Sequence, residues 1–152
     1  MFYLLTFIMS KYQIELEMSN SIKIKCKKIK LVLTDVDGVL TDGGRYYSNK
    51  GELIKKFHVR DGMGINILLR NKINTAIITK ENSNIVKIWA KEMNVSKTFS
   101  GIKNKEKELE KICKYYTVSP LEIAFIGDDV NDLELMKRVG FSATPSDGIL
   151  QA

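Results

Sequence analysis

The sequence predicts an α/β protein, a three-layer, Rossmann-like parallel sheet with a β-hairpin inserted near its start. Three observations predict it. Short apolar runs suited to buried strands alternate with helical stretches of about 10–15 residues, the signature of βαβ units. Acidic or hydroxyl residues follow those runs, at Asp35, Thr79 and Asp128, where open α/β sheets bind ligands. With 152 residues, 44% hydrophobic and 28% charged, the chain suffices for one globular domain with a sizeable core.

Taken in order, residues 1–17 show no clear period, and Met18-Ser19-Asn20 would make a plausible start. Residues 1–20 are therefore expected to form a poorly ordered extension ahead of a domain at 21–152. A regular alternation begins at Ile22, and Ile29 to Thr34 is the first buried strand. Residues 43–59 read as a hairpin, with Gly43 to Ser48 and Leu53 to Val59 as its arms and a turn at Lys50-Gly51. Asp61 can cap a helix carrying Ile65, Leu68 and Leu69 on one face. Asn74 to Thr79 is the second buried strand, followed by a helix with the stripe Ile85, Ile88, Trp89 and Met93. Thr98-Phe99 is a short strand, and Gly101 leads into a charged helix near Lys103 to Tyr116. Pro120 opens the strand Leu121 to Ile126, which ends in Gly127-Asp128-Asp129. Leu133, Leu135 and Met136 lie on a helix stopped by Gly140, and Phe141 to Thr144 is the last strand.

Composition excludes several function classes. The formal charge is +6, yet 20 of the 24 basic residues are Lys, whereas base readout leans on Arg. The lysines read as a solvated surface, and no nucleic-acid partner is expected. The apolar stretch Phe2 to Met9 is far shorter than a membrane span and lacks the flanks of a secretory signal. The expected location is cytoplasmic, with no membrane partner. Cys26 and Cys113 form no CxxC pair and the chain has one His, which excludes a disulfide scaffold and a zinc site.

Six of the eight aspartates, Asp35, Asp37, Asp42, Asp128, Asp129 and Asp132, fall in two short loops after strands. Asp and Gly are ordinary turn formers, and a lone DxDG would be read that way. Two acidic loops converging on one sheet edge ask for more. Like charges ~4 Å apart repel by about 4 kcal/mol at an effective dielectric of 20. A hard divalent cation such as Mg²⁺, which wants carboxylate, phosphate and water oxygens, would relieve that repulsion.

Four motifs in order, Asp35-Val36-Asp37-Gly38-Val39-Leu40-Thr41, Thr79, Lys105 and Gly127-Asp128-Asp129-Val130-Asn131-Asp132, resemble those of the haloacid-dehalogenase-like phosphatases across about residues 29–145. The run Lys56-Phe57-His58-Val59-Arg60-Asp61-Gly62, the hairpin and the small size are similar to the capless 3-deoxy-D-manno-octulosonate 8-phosphate phosphatases and to the nonulosonate (sialic-acid-type) 9-phosphate phosphatases. The resemblance implies a Mg²⁺-dependent phosphomonoesterase without a cap domain, acting on a sugar-acid phosphate in surface polysaccharide biosynthesis. It implies that Asp35 attacks phosphorus and that Asp37 protonates the leaving alkoxide, then activates water. Mg²⁺ would sit on Asp35, the Asp37 backbone carbonyl and Asp128, with Asp129 and Asp132 in support. Thr79 would bond the transferring phosphoryl group, and Lys105 would neutralise it and orient Asp35.

Three departures from the family pattern bear on specificity. Lys80 replaces the usual glycine after the motif-II hydroxyl residue and either contacts phosphate or alters the pocket. Glu81 stands where octulosonate phosphatases tend to carry Arg and nonulosonate phosphatases Glu; an exposed helix-start Glu is the plain alternative. The family's Gly/Arg-rich tail, which reaches a neighbouring active site, is not matched after Pro145, a departure that bears on substrate affinity and specificity more than on the chemistry. By resemblance the hairpin assembles a homotetramer, with Tyr46, Tyr47, Leu53, Ile54 and Phe57 available for burial and Arg60 facing the anionic substrate. The alternative is a hairpin packed on its own domain. A receiver-like signalling module places its Lys after the Thr near the end of the sheet, whereas here Lys105 precedes Gly127-Asp128-Asp129. A non-catalytic scaffold or regulatory domain typically loses the nucleophile or the GDD acids, and this chain keeps them.

Overall fold

A computed structural model describes residues 20–150 of the chain. Five strands form one parallel sheet: β1 (Leu31–Thr34), β4 (Asn74–Ile78), β5 (Lys97–Phe99), β6 (Ile123–Ile126) and β7 (Phe141–Ala143). Their order is β5-β4-β1-β6-β7. The chain therefore builds outward from β1 in one direction, returns, and builds outward in the other. That places the topological switch point at β1, where such sheets open a crevice beyond the carboxyl edge. An antiparallel pair, β2 (Tyr46–Ser48) and β3 (Gly51–Ile54), stands apart as a flap. The α/β class, the parallel sheet and the inserted hairpin agree with the sequence.

Side-chain alternation along the strands divides the core into two layers. Leu31, Leu33, Ala76, Ile78, Ile123 and Phe125 face α4 (Leu109–Tyr116) and α5 (Leu133–Met136). Val32, Ala124 and Ile126 face α2 (Val59–Arg70), and Ile77 packs with α3 (Asn84–Glu92). Every residue of β1 and β6 is buried, as expected of strands covered on both faces.

Several local expectations are corrected. The alternation that begins at Ile22 falls in a helix, α1 (Asn20–Cys26), on which Ile24 is exposed. The expected extension at 1–20 lies, but for Asn20, outside the described residues. The hairpin turn is Asn49-Lys50, with Gly51 already in β3 at φ +110°, and the second arm ends at Ile54. His58, not Asp61, caps α2: its Nδ1 accepts from the Arg60 N–H at 3.2 Å, and Asp61 is buried in the first turn. Leu69 and Ile88 are exposed, and the buried positions of α3 are Val86 and Ala90, one step around the helix. The expected helix at Lys103–Tyr116 opens as a 3₁₀ turn, Lys105–Glu108, in which Lys105 is buried. Pro120–Glu122 is also 3₁₀, closed by a Ser119–Glu122 capping box, so β6 starts at Ile123.

Candidate active site

β1 pairs with both β4 and β6, with Thr34 opposite Ile77 on one side and Ile126 on the other. The register brings Asp35, Thr79 and Asp128 to a single edge. The Asp35 N–H extends the ladder by donating to the Ile126 carbonyl at 2.9 Å. The chain then curls: the N–H groups of Val39, Leu40 and Thr41 all donate to the Val36 carbonyl. Continued strand alternation would place Asp35 and Asp37 on the same side. The strand ends at Thr34, and Asp37 is set instead by this turn. The buried Thr41 hydroxyl accepts from the Gly38 and Gly43 N–H groups and pins the turn. Gly38 is required twice over, with φ at +91° and a position where a Cβ would stand 1.8 Å from the Asp128 carboxylate.

Asp35 is 6% exposed and Lys105 and Asp132 are fully buried. Lys105 Nζ lies 2.9 Å from Asp35 Oδ1 and 2.6 Å from Asp132 Oδ1. Asp132 Oδ2 accepts from the Asp128 and Asp129 N–H groups, so its carboxylate is satisfied on both oxygens and organises the loop. Asp35, Asp128 and Asp132 each place an oxygen within 4.8 Å of the others. At that spacing each carboxylate pair repels by about 3 kcal/mol at an effective dielectric of 20. One ammonium faces three carboxylates, which leaves the cluster with an excess of negative charge. Burial, with Asp132 reinforcing it against Lys105, pushes Asp35 up to about 6. Burial and the neighbouring Asp35, Asp132 and Asp129 push Asp128 up to about 7.

Asp128 Oδ1 is buried and has no hydrogen-bond partner. An orphaned carboxylate oxygen beside a second carboxylate is costly unless a cation completes it. The donor set is all oxygen, and with Lys105 occupied by Asp35 and Asp132 it fits a hard divalent ion such as Mg²⁺.

The other expected site residues divide. Thr79 is buried at the end of β4, its Oγ1 accepting from the Glu81 N–H at 3.2 Å. Glu81 is half-buried, 3.4 Å from the Arg45 guanidinium. Lys80 and Arg60 are exposed, Arg60 in the first turn of α2. Asp129 is exposed and its carboxylate accepts from the adjacent Val130 N–H.

Asp37 has cation partners that sequence reasoning missed. Its Oδ1 accepts from Lys55 Nζ, and its Oδ2 lies 2.9 Å from Arg45 Nη2. Lys55 also pairs with Glu52 at 2.9 Å, and Glu52 accepts from the Ser83 hydroxyl at 2.9 Å. The lone signal was a lysine where an apolar hairpin arm should continue.

A family model for haloacid dehalogenase-like hydrolases matches residues 66–148. The 3-deoxy-D-manno-octulosonate 8-phosphate phosphatase KdsC of Escherichia coli K12 is 35% identical over 129 residues, spanning 85% of this chain and 69% of that protein. The chain belongs to this family of haloacid dehalogenase-like phosphatases. The Haemophilus influenzae KdsC is 39% identical over 123 residues, 81% of this chain and 68% of that protein. Among solved structures, the phosphatase of Moraxella catarrhalis in complex with a magnesium ion, a phosphate ion and KDO superposes with a TM-score of 0.84. It is 36% identical and covers 88% of this chain and 77% of that one. The cobalt-bound Haemophilus influenzae enzyme gives a TM-score of 0.80 at 38% identity, covering 83% of this chain and 74% of that one. This phosphatase thus has the fold and enzyme class that its motifs indicated. Among the described residues no helix is long and apolar enough to cross a membrane.

Proposed function

We propose that this phosphatase hydrolyses 3-deoxy-D-manno-octulosonate 8-phosphate with Mg²⁺, through an aspartyl-phosphate on Asp35. The observation that carries the reading is the unpartnered Asp128 oxygen beside a buried Asp35 whose other neighbour is Lys105. Asp35, the Asp37 carbonyl and Asp128 would hold the ion, which supplies charge neutralisation for the phosphoryl oxygens. Lys105 fixes the Asp35 carboxylate through Oδ1, leaving the second oxygen to meet phosphorus. As the Asp35–phosphorus bond forms and the bond to the sugar oxygen breaks, Asp37 gives that oxygen a proton. Asp37 then takes a proton from the water that cleaves the acyl phosphate, releasing inorganic phosphate and restoring Asp35. Thr79 offers a hydroxyl at the same edge, while Asp129 and Asp132 shape the loop that carries Asp128.

Glu81 favours a second substrate, a nonulosonate 9-phosphate, because its carboxylate reaches the site through Arg45. Phosphate release from a panel of both sugar acids, with Mg²⁺ or EDTA, separates the two. The flap supports a homotetramer: Tyr46, Tyr47, Leu53 and Ile54 are each more than half exposed in the single chain. Phe57 is the exception. It stacks on Trp89 with ring centroids 4.4 Å apart and so serves the chain's own fold.

A further inference from the structure

We propose that Lys55 is a positioning residue for Asp37, fastening the proposed proton donor to the flap. The inference rests on the reading of Asp37 as acid and base. Lys55 follows directly on β3, yet its side chain is fully buried, against 63% exposure for its neighbour Lys56. Its ammonium bridges two carboxylates, Asp37 of the β1 loop and Glu52 of the flap. Glu52 is in turn held by Ser83 at the start of α3. The chain Ser83–Glu52–Lys55–Asp37 therefore spans body, flap and body again, and Asp37 is its inner end. Arg45, the other cation on Asp37, is partly exposed and shared with Glu81. Lys55 is the fixed partner and Arg45 the looser one. A carboxylate that must meet a leaving oxygen needs its rotation set, and a buried, doubly paired lysine sets it.

The experiment compares two leaving groups. A sugar alkoxide needs a proton as it departs; p-nitrophenolate leaves without one. The first half-reaction, expulsion of the leaving group, is followed in single turnover on octulosonate 8-phosphate and p-nitrophenyl phosphate with wild type, Asp37→Asn, Lys55→Met, Glu52→Gln and Lys56→Met, because hydrolysis of the acyl phosphate is common to both substrates. Lys55→Met is expected to lower this single-turnover rate on the sugar phosphate about 30-fold or more, with the substrate concentration at half-saturation within about threefold and the rate on the aryl phosphate reduced only about threefold. Asp37→Asn should show the same preference more strongly, and Lys56→Met should match wild type. Equal loss on both substrates in Lys55→Met would overturn the proposal, because a merely structural role does not sense the leaving group. Should Lys55→Met fail to fold, Glu52→Gln decides: a smaller loss of the same kind supports the role, an equal loss refutes it. Absence of the leaving-group signature in Asp37→Asn would instead bring down the reading of Asp37 itself, and this inference with it.

Discussion

Asp128 is strained by burial and by the neighbouring Asp35, Asp132 and Asp129, and the consequences are measurable. An acid raised in the fold binds its proton more tightly there than in the unfolded chain. Its contribution to stability is therefore full below the ordinary carboxylate range and is lost as pH rises through the folded value. With Asp35 at about 6 and Asp128 at about 7, the metal-free protein should lose stability between pH 4 and pH 8 on this account. Mg²⁺ needs these groups ionised, so the Tm gain on adding it should grow from pH 5.5 to pH 8. Differential scanning fluorimetry measures both, and a Mg²⁺ gain as large at pH 5.5 as at pH 8 would contradict the assignment. Lys105→Met removes the ammonium shared by Asp35 and Asp132. Stripping one member from a buried ion network costs about 3–5 kcal/mol, read as a lower denaturation midpoint in urea. Gly38→Ala places a methyl on the Asp128 carboxylate, and Mg²⁺-dependent stabilisation should weaken even where the protein folds.

At the scale of elements, the strands were legible because each is a short apolar run bounded by polar residues, and the acidic loops because they follow such runs. Boundaries were less so. Whether Leu69 or Leu68 faces the core depends on how α2 rolls on the sheet, which the periodicity of one helix does not fix. The cap of α2 moved from Asp61 to His58 because the imidazole supplies the acceptor for the Arg60 N–H. Lys55 escaped notice since its burial comes from tertiary partners, Asp37 and Glu52, that local pattern does not reveal. The Phe57–Trp89 stack ties the flap base to α3. Trp89→Ala should cost about 3 kcal/mol in chemical denaturation, and an unchanged midpoint would show that the stack does not hold the flap.

For the whole molecule, the topological switch at β1 explains why three motifs separated in sequence meet at one edge, with Lys105 reaching them from the 3₁₀ turn after β5. β1 lies between β4 and β6, so the loops after all three are neighbours whatever their distance along the chain. The exposed flap residues set the expectation for assembly. Light scattering should return a tetramer, and Leu53→Lys should shift it towards smaller species, whereas a monomeric wild type would refute the assembly. In the proposed mechanism Asp35 and a divalent ion perform the hydrolysis. Its most direct test is phosphate release from octulosonate 8-phosphate by wild type and Asp35→Asn, each with Mg²⁺ and with EDTA. Turnover by wild type with Mg²⁺, abolished by EDTA and lost by about a thousandfold or more in the variant, is the predicted result. Turnover that survives chelation or the loss of Asp35 would contradict it.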